Sequence, residues 1–413
     1  MFKDITLKNV VFTMPKKNRY NFDELITREG TDAIKWDAKF MEEYFGVGDL
    51  LPLWVADMDF RAPEVLLQAL KKRVEHGIFG YTIPSESYYQ AIINWFKQRH
   101  GWSIEKEWLQ FAPGVVTAIN VIIQTFSKPG DGVIIQEPVY YPFARTIKNN
   151  GREILNNELL FSGGSYQIDF KDLKEKCAMP RTKLLILCSP HNPVARVWKT
   201  EELKQLGEIC MENNVLVISD EIHCDITFNN HKHIPFASIS LEFAKRSFTC
   251  VAPTKTFNIA GLKSSNVIIP NPTLREDFTT ALTNISIASP SIFALVATET
   301  AYNSCENWLN EVLAYIWDNY CFLKDFFAIN FPNCYVLPLE GTYLPWVDFR
   351  PLGIEAKELD RIIKEEAKVG LDDGAMFGES GAGFQRINIA CPREILKEAL
   401  NRIRDALIKR LKK

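Results

Sequence analysis

Short, largely apolar runs alternate with stretches of helical periodicity through the middle of the chain. The runs Leu109–Ala112, Val133–Ile135, Leu184–Cys188, Val215–Ser219, Ser247–Val251 and Asn266–Ile269 have the length of strands buried on both faces. Between them apolar residues recur every three or four positions. Leu203, Leu206, Ile209 and Cys210 form one such stripe, with Thr200 expected as the N-cap and Glu201 and Glu202 placed to complement the helix dipole. This alternation predicts an α/β fold, a mostly parallel sheet with helices on its faces. Short connections join these elements into one large domain over residues 51–290. Beyond Ser289-Pro290-Ser291 the pattern changes to amphipathic helices, one ending near Asn303 and one covering about Glu306–Phe327. Strands at Tyr343–Phe349 and Phe384–Ile389 and a terminal helix after Pro392 follow, which predicts a smaller α+β C-terminal domain over residues 291–413. Residues 1–50, with a helix within Trp36–Tyr44, are expected to pack against that smaller domain.

Composition narrows the function. The 413 residues are 46% hydrophobic and 24% charged, with 48 basic against 51 acidic side chains. Such a chain folds, and it offers no broad basic footprint for nucleic acid. No apolar run approaches the ~20 residues of a membrane helix, so neither a membrane nor a nucleic acid is an expected partner. The start of the chain has no secretory pattern, and the nine cysteines are scattered and never spaced C-x-x-C. Neither a disulfide framework nor a zinc site is expected, and a reducing cytoplasm fits. The basic end, Lys409 to Lys413, reads as a solvated helix terminus.

Neither G-x-G-x-x-G after a strand nor G-x-x-x-x-G-K-[ST] occurs, so dinucleotide and P-loop readings lose their support. Strand Leu109–Ala112 turns at Pro113-Gly114 into an apolar helix over Val115–Phe126, whose free N–H groups could hold a phosphate. An ordinary β-to-α turn explains the same residues. Ser219-Asp220-Glu221-Ile222-His223 follows a strand, which puts its acids at the carboxyl edge of the sheet, facing a cationic ligand or closing a loop ion pair. A metal reading draws on Asp220, His223, Asp225, His231 and His233, but their spacing matches no specific zinc pattern. Lys255 follows strand Ser247–Val251 and precedes uncharged residues, so its amine is expected at the sheet edge in semi-apolar surroundings, where desolvation makes a lysine nucleophilic. A snorkelling surface lysine is the alternative.

Asn192-Pro193, Asp220 and Lys255, each after a strand, together resemble the fold-type I pyridoxal-phosphate enzymes of aminotransferase class I/II. Within them the runs WVADMDF (Trp54–Phe60), FGYT (Phe79–Thr82), SPHNPVARVW (Ser189–Trp198), SDEIH (Ser219–His223), APTKTFNIAGL (Ala252–Leu262), GTYL (Gly341–Leu344) and INIACPR (Ile387–Arg393) resemble the MalY/PatB-type carbon–sulfur lyases. The likeness runs from about Tyr20 to the C-terminus, and residues 1–19 look like an extension.

The resemblance implies a seven-stranded large-domain sheet, pyridoxal 5'-phosphate as cofactor and a homodimer with a shared active site. It implies that Lys255 carries the cofactor and acts as general base, that Asp220 pairs with the pyridine nitrogen, and that Asn192 and His223 lie near the phenolic oxygen. It places Tyr140 against the ring, Gly114, Val115 and Val116 at the phosphate, and Tyr81 at the phosphate from the neighbouring subunit. Arg386 would grip the substrate α-carboxylate, near the backbone of Ala56. Departures are visible too. Ala252 stands where many relatives have a phosphate-binding serine, Gly114 lacks their hydroxyl, and Ala195 replaces the usual glycine after Asn-Pro-x. Thr254 and Lys263 are the candidates to compensate at the phosphate.

The activity implied is β-elimination of L-cystathionine or a related cysteine S-conjugate to a thiol, pyruvate and ammonia. The alternative is an aminotransferase acting on an amino acid or a histidinol-phosphate-like amine. Members of this branch can also contact transcription regulators, but no N-terminal DNA-binding module is visible in this sequence.

Overall fold

The computed structural model describes residues 20–412. The central sheet has strands β1 (Leu109–Ala112), β2 (Gly132–Ile135), β3 (Glu153–Asn156), β4 (Thr182–Cys188), β5 (Leu216–Asp220), β6 (Ser247–Val251) and β7 (Ser265–Ile268). Their spatial order is β1-β7-β6-β5-β4-β2-β3. Neighbours from β6 to β3 run parallel, whereas β7 is antiparallel to both β6 and β1, so β1 points the same way as β6. Helices cover both faces, which is why β4 can bury Leu184 to Leu187 completely. Six of these seven strands correspond to the apolar runs. The seventh, β3, has no such run: it is an edge strand with a single neighbour and partly exposed side chains.

Register decides what meets at the carboxyl edge. Cys188 at the end of β4 lies opposite Asp220 of β5, which lies opposite Cys250 of β6. Segments leaving these strands therefore emerge side by side.

Three local expectations are corrected. The helix Thr200–Glu212 has Lys199, not Thr200, as its N-cap, because the Glu202 carboxylate accepts the Lys199 N–H at 2.8 Å and supplies the missing partner from within the first turn. The N-terminal helix begins at Ala38, where the Asp37 carboxylate accepts the Phe40 N–H at 2.7 Å, and ends at Phe45. The strands expected at Tyr343–Phe349 and Phe384–Ile389 shorten to β9 and β11 of a four-stranded antiparallel sheet. That sheet comprises β8 (Tyr335–Val336), β9 (Trp346–Asp348), β10 (Asp372–Asp373) and β11 (Phe384–Arg386), in the order β8-β9-β11-β10. Pro345 has no N–H with which to continue the ladder, and Asn388 turns instead to the Leu53 carbonyl at 2.9 Å.

Helix Ile292–Ser304 packs on helices Glu64–Glu75 and Glu86–His100. Phe22 packs edge-on against Trp308 and close to Tyr315, both on helix Glu306–Asn330, with ring centroids 6.0 and 5.6 Å away. Residues 1–19, expected to be an extension, and Lys413 of the basic end lie outside the described residues. Among the described residues no helix is long and apolar enough to cross a membrane.

Candidate active site

The carboxyl edge of the sheet opens onto a cavity of about 410 Å³ lined by Ala56, Gly114, Val115, Val116, Tyr140, Asn192, Asp220, His223, Thr254, Lys255 and Lys263, with Cys188 and Ser264 among the remainder. Three strand ends and one helix start explain the gathering. β1 runs through Pro113 into Gly114, where α1 (Val115–Phe126) begins with no side chain capping it, leaving first-turn N–H groups open. Asn192 follows β4, Asp220 ends β5, and Lys255 sits in the short helix α2 (Pro253–Thr256) after β6. Thr256 anchors that helix by donating to Asp225 at 2.8 Å.

The electrostatics are uncompensated. Asp220 is buried, accepts the Ile222 N–H at 3.1 Å, and forms no salt bridge among the described residues. Burial pushes its carboxyl up to about 7, against the opposing pull of the Ile222 N–H and Lys255. Burial pulls the Lys255 ammonium down to about 8, although Asp57 and Asp220 act the other way. Its Nζ donates to the Ala56 carbonyl at 2.6 Å, and the Tyr343 hydroxyl donates to the same oxygen at 2.9 Å. His223 is buried with Nδ1 unpartnered, and burial, then the Lys255 and Arg386 charges, hold it well below the usual imidazole range. It is a neutral ring, edge-on to Tyr343 at 5.8 Å. Tyr140 lies 5.6 Å from the Tyr141 ring, and burial raises its hydroxyl well above the ordinary phenol.

Arg386 does not line the cavity but reaches its wall. Nη1 donates to Asn192 Oδ1 at 2.8 Å and Nη2 to the Trp54 carbonyl at 3.0 Å and to the Asp372 carboxylate. Arg386 and Asp372 are cross-strand partners on β11 and β10, which explains their pairing. Arg386 Nε and Asp372 Oδ1 remain buried without partners. Tyr81 lies away from the cavity, fully exposed among the exposed Ile78, Phe79 and Ile83.

Ala195 takes the left-handed conformation expected of the glycine it replaces, with φ of 60°, and its carbonyl accepts the Glu340 and Gly341 N–H groups at 3.1 and 3.0 Å. Such a conformation costs a non-glycine residue roughly 1–2 kcal/mol. Lys263 is exposed at the rim with φ of 54°, and Thr254 is buried. Of the acids and histidines weighed as a metal cluster, Asp220 and His223 line the cavity and the other three are partnered elsewhere. Asp225 accepts from Trp95, His100 and Thr256, His233 meets Glu221 at 2.8 Å, and His231 lies 4.0 Å from Glu340. Sequence reasoning missed Asp372, Tyr343 and Ser264. Tyr343 lies within the quoted GTYL run, whereas Asp372 carries no local signal because only strand pairing brings it to Arg386.

The profile of the aminotransferase class I and II family matches residues 49–403. Cystathionine beta-lyase PatB of Bacillus subtilis (strain 168) is 46% identical over 387 residues, 94% of this chain and 100% of that protein. Protein MalY of Escherichia coli (strain K12) is 33% identical over 384 residues, 92% of this chain and 97% of its own length. Among solved structures, cystalysin from Treponema denticola, which contains a pyridoxal 5'-phosphate cofactor, is similar with a TM-score of 0.91 at 40% identity, covering 94% of this chain and 99% of that one.

Proposed function

Because this chain belongs to the aminotransferase class I and II family, we propose that it is a pyridoxal-phosphate-dependent carbon–sulfur lyase acting on L-cystathionine or a related cysteine S-conjugate. The overall reaction takes up one water and releases a thiol, pyruvate and ammonia. The 46% identity to PatB over nearly the full length and the likeness to cystalysin support this reading over the aminotransferase alternative.

The residues present fit the cofactor. Asp220 is a buried carboxyl in no salt bridge among the described residues, the start of α1 is an uncapped anion cradle, and Lys255 is an amine whose proton is loosely held. Lys255 and Asp220 sharing one cavity, with shifts in opposite directions, is the observation that carries the proposal. Lys255 would hold the aldehyde carbon and Asp220 the pyridine nitrogen. Gly114, Val115, Val116, Thr254 and Lys263 would hold the phosphate, with Tyr140, Asn192 and His223 around the ring. When bound, pyridoxal phosphate supplies an electron-withdrawing ring that weakens the bonds at the substrate Cα.

Substrate positioning falls to the chain itself. Arg386 is charged, buried and pre-oriented by Asn192, Asp372 and the Trp54 carbonyl, which suits two-point recognition of an α-carboxylate. Lys255, neutral above about pH 8, is the group placed to take the proton from Cα. Neutral His223 adds no competing positive charge. Tyr81, fully exposed on an apolar stretch, is proposed to complete the phosphate site of a second copy in a homodimer. A reducing cytoplasm is the proposed compartment, all nine cysteines being free thiols. Product analysis with L-cystathionine tests the reading: thiol and pyruvate in equal amounts support it. An oxo acid retaining the sulfur chain, with the cofactor left in its amine form, would instead favour transamination.

A further inference from the structure

The turn Val55–Phe60 presents the Ala56 carbonyl to the Lys255 amine, and it is clamped from several directions. From the N-terminal segment, Arg28 donates to the two Asp57 oxygens at 3.0 and 2.7 Å and to Asp59 at 2.7 Å. Lys35, wholly buried, donates to Asp59 at 2.6 Å and to the Asp57 carbonyl at 3.4 Å. Asn258, shortly after Lys255, accepts the Met58 N–H at 3.0 Å and donates to the Met58 and Phe60 carbonyls, both at 2.9 Å. Asn388 donates to the Val55 and Asp57 carbonyls at 2.6 and 2.7 Å.

The neutral clamps would close such a turn without charge. Burying Lys35 and the carboxylates costs several kcal/mol per ion before pairing returns it, so the charged clamp needs a further reason. The ionisable groups facing Lys255 are Asp57, Arg386, Asp220 and Lys263, and of the two carboxyls Asp57 is the one tied to the N-terminal segment. We infer that Arg28 and Lys35 are positioning residues for Lys255: by fixing Asp57 and the Ala56 carbonyl they set where its amine sits and which charge it faces. The inference rests on the reading of Lys255 as the reactive amine. It makes residues 28–35 part of the working site although none of them lines the cavity.

The test uses the full chain. Cofactor-stripped protein is labelled with acetic anhydride across pH, Lys255 modification is followed by mass spectrometry, and cystathionine elimination is measured on the loaded enzyme. Asp57→Asn is expected to lower the labelling midpoint of Lys255 by about half a pH unit or more, because an anion facing the amine is gone, and to reduce kcat more than it raises KM. Arg28→Lys keeps the charge but loses the two-pronged contact, so the midpoint should move the same way by less. This milder variant decides the matter if Asp57→Asn does not fold. An unchanged midpoint in either folded variant overturns the inference. Lys255→Ala separates the two levels: retained turnover there refutes the assignment of Lys255, whereas lost turnover with unmoved midpoints in the other variants refutes only the role of Arg28 and Lys35.

Discussion

Lys35 and Lys255 both lose most of their water against the Val55–Phe60 turn, yet their protons are held differently. Burial would lower both. At Lys35 the Asp59 and Asp57 charges more than reverse it, so its ammonium is held above the ordinary lysine range. At Lys255 the opposing charges are weaker and Arg386 and Lys263 add repulsion, so the amine falls to about 8. The carboxyls differ in their partners as well: Asp59 is bonded to Arg28, Lys35 and Trp36, whereas Asp220 accepts one backbone N–H, and burial pushes it up to about 7. Chemistry is available where burial is left uncompensated. Where it is compensated, the charges build scaffold.

The contrast breaks most simply at Lys255. Lys255→Ala should abolish the visible absorption of the loaded enzyme and lower turnover by more than about 10³-fold, read by spectrum and pyruvate release. Arg386→Met should raise KM about 100-fold for substrates bearing an α-carboxylate, measured by steady-state kinetics, since truncating a buried charged partner costs about 2–5 kcal/mol.

On the compensated side, Lys35→Met should destabilise the protein by about 3–5 kcal/mol in denaturant unfolding, because Asp59 loses its closest cation. The double variant Lys35→Met with Asp59→Asn should recover part of that loss.

Asp220→Asn sharpens the comparison from the other side. In the cofactor-free protein the folded carboxyl is protonated below about 7, whereas the unfolded one is protonated only below about 4. The folded state therefore binds more protons between these values, and stability falls as pH rises through that window. Asp220→Asn should stabilise the cofactor-free protein by about 1–3 kcal/mol at pH 7 and not at all below about pH 4. The same substitution should lower turnover. The smallest effect is kinetic: the rate at which stripped protein recaptures pyridoxal phosphate should rise with pH through about 8 and then level, following the neutral fraction of Lys255.

Much of this was legible in the chain. Strands buried in the sheet show as largely apolar runs, so β2, β4, β5, β6 and β7 were visible, and the edge strand β1 was visible from its turn into an apolar helix, while the other edge strand, β3, carried no such mark. Lys255, Asp220 and Asn192 were legible because each lies at or shortly after the end of a strand and sits in an unusual local run. Asp372 and the Arg28–Lys35 clamp were not. Their roles arise from partners distant in sequence, Arg386 across a strand pair and Asp57 and Asp59 across a loop, and no local pattern encodes such meetings. The helix start at Lys199 was missed for a related reason, since the capping group is Glu202 rather than the cap residue itself.

The central claim is most directly tested by supplying purified protein with pyridoxal phosphate and L-cystathionine and quantifying every product. The account predicts homocysteine, pyruvate and ammonia in equal amounts, with no amino-group transfer to an added oxo acid. Absence of pyruvate, or an oxo acid that still carries the thioether, would contradict it.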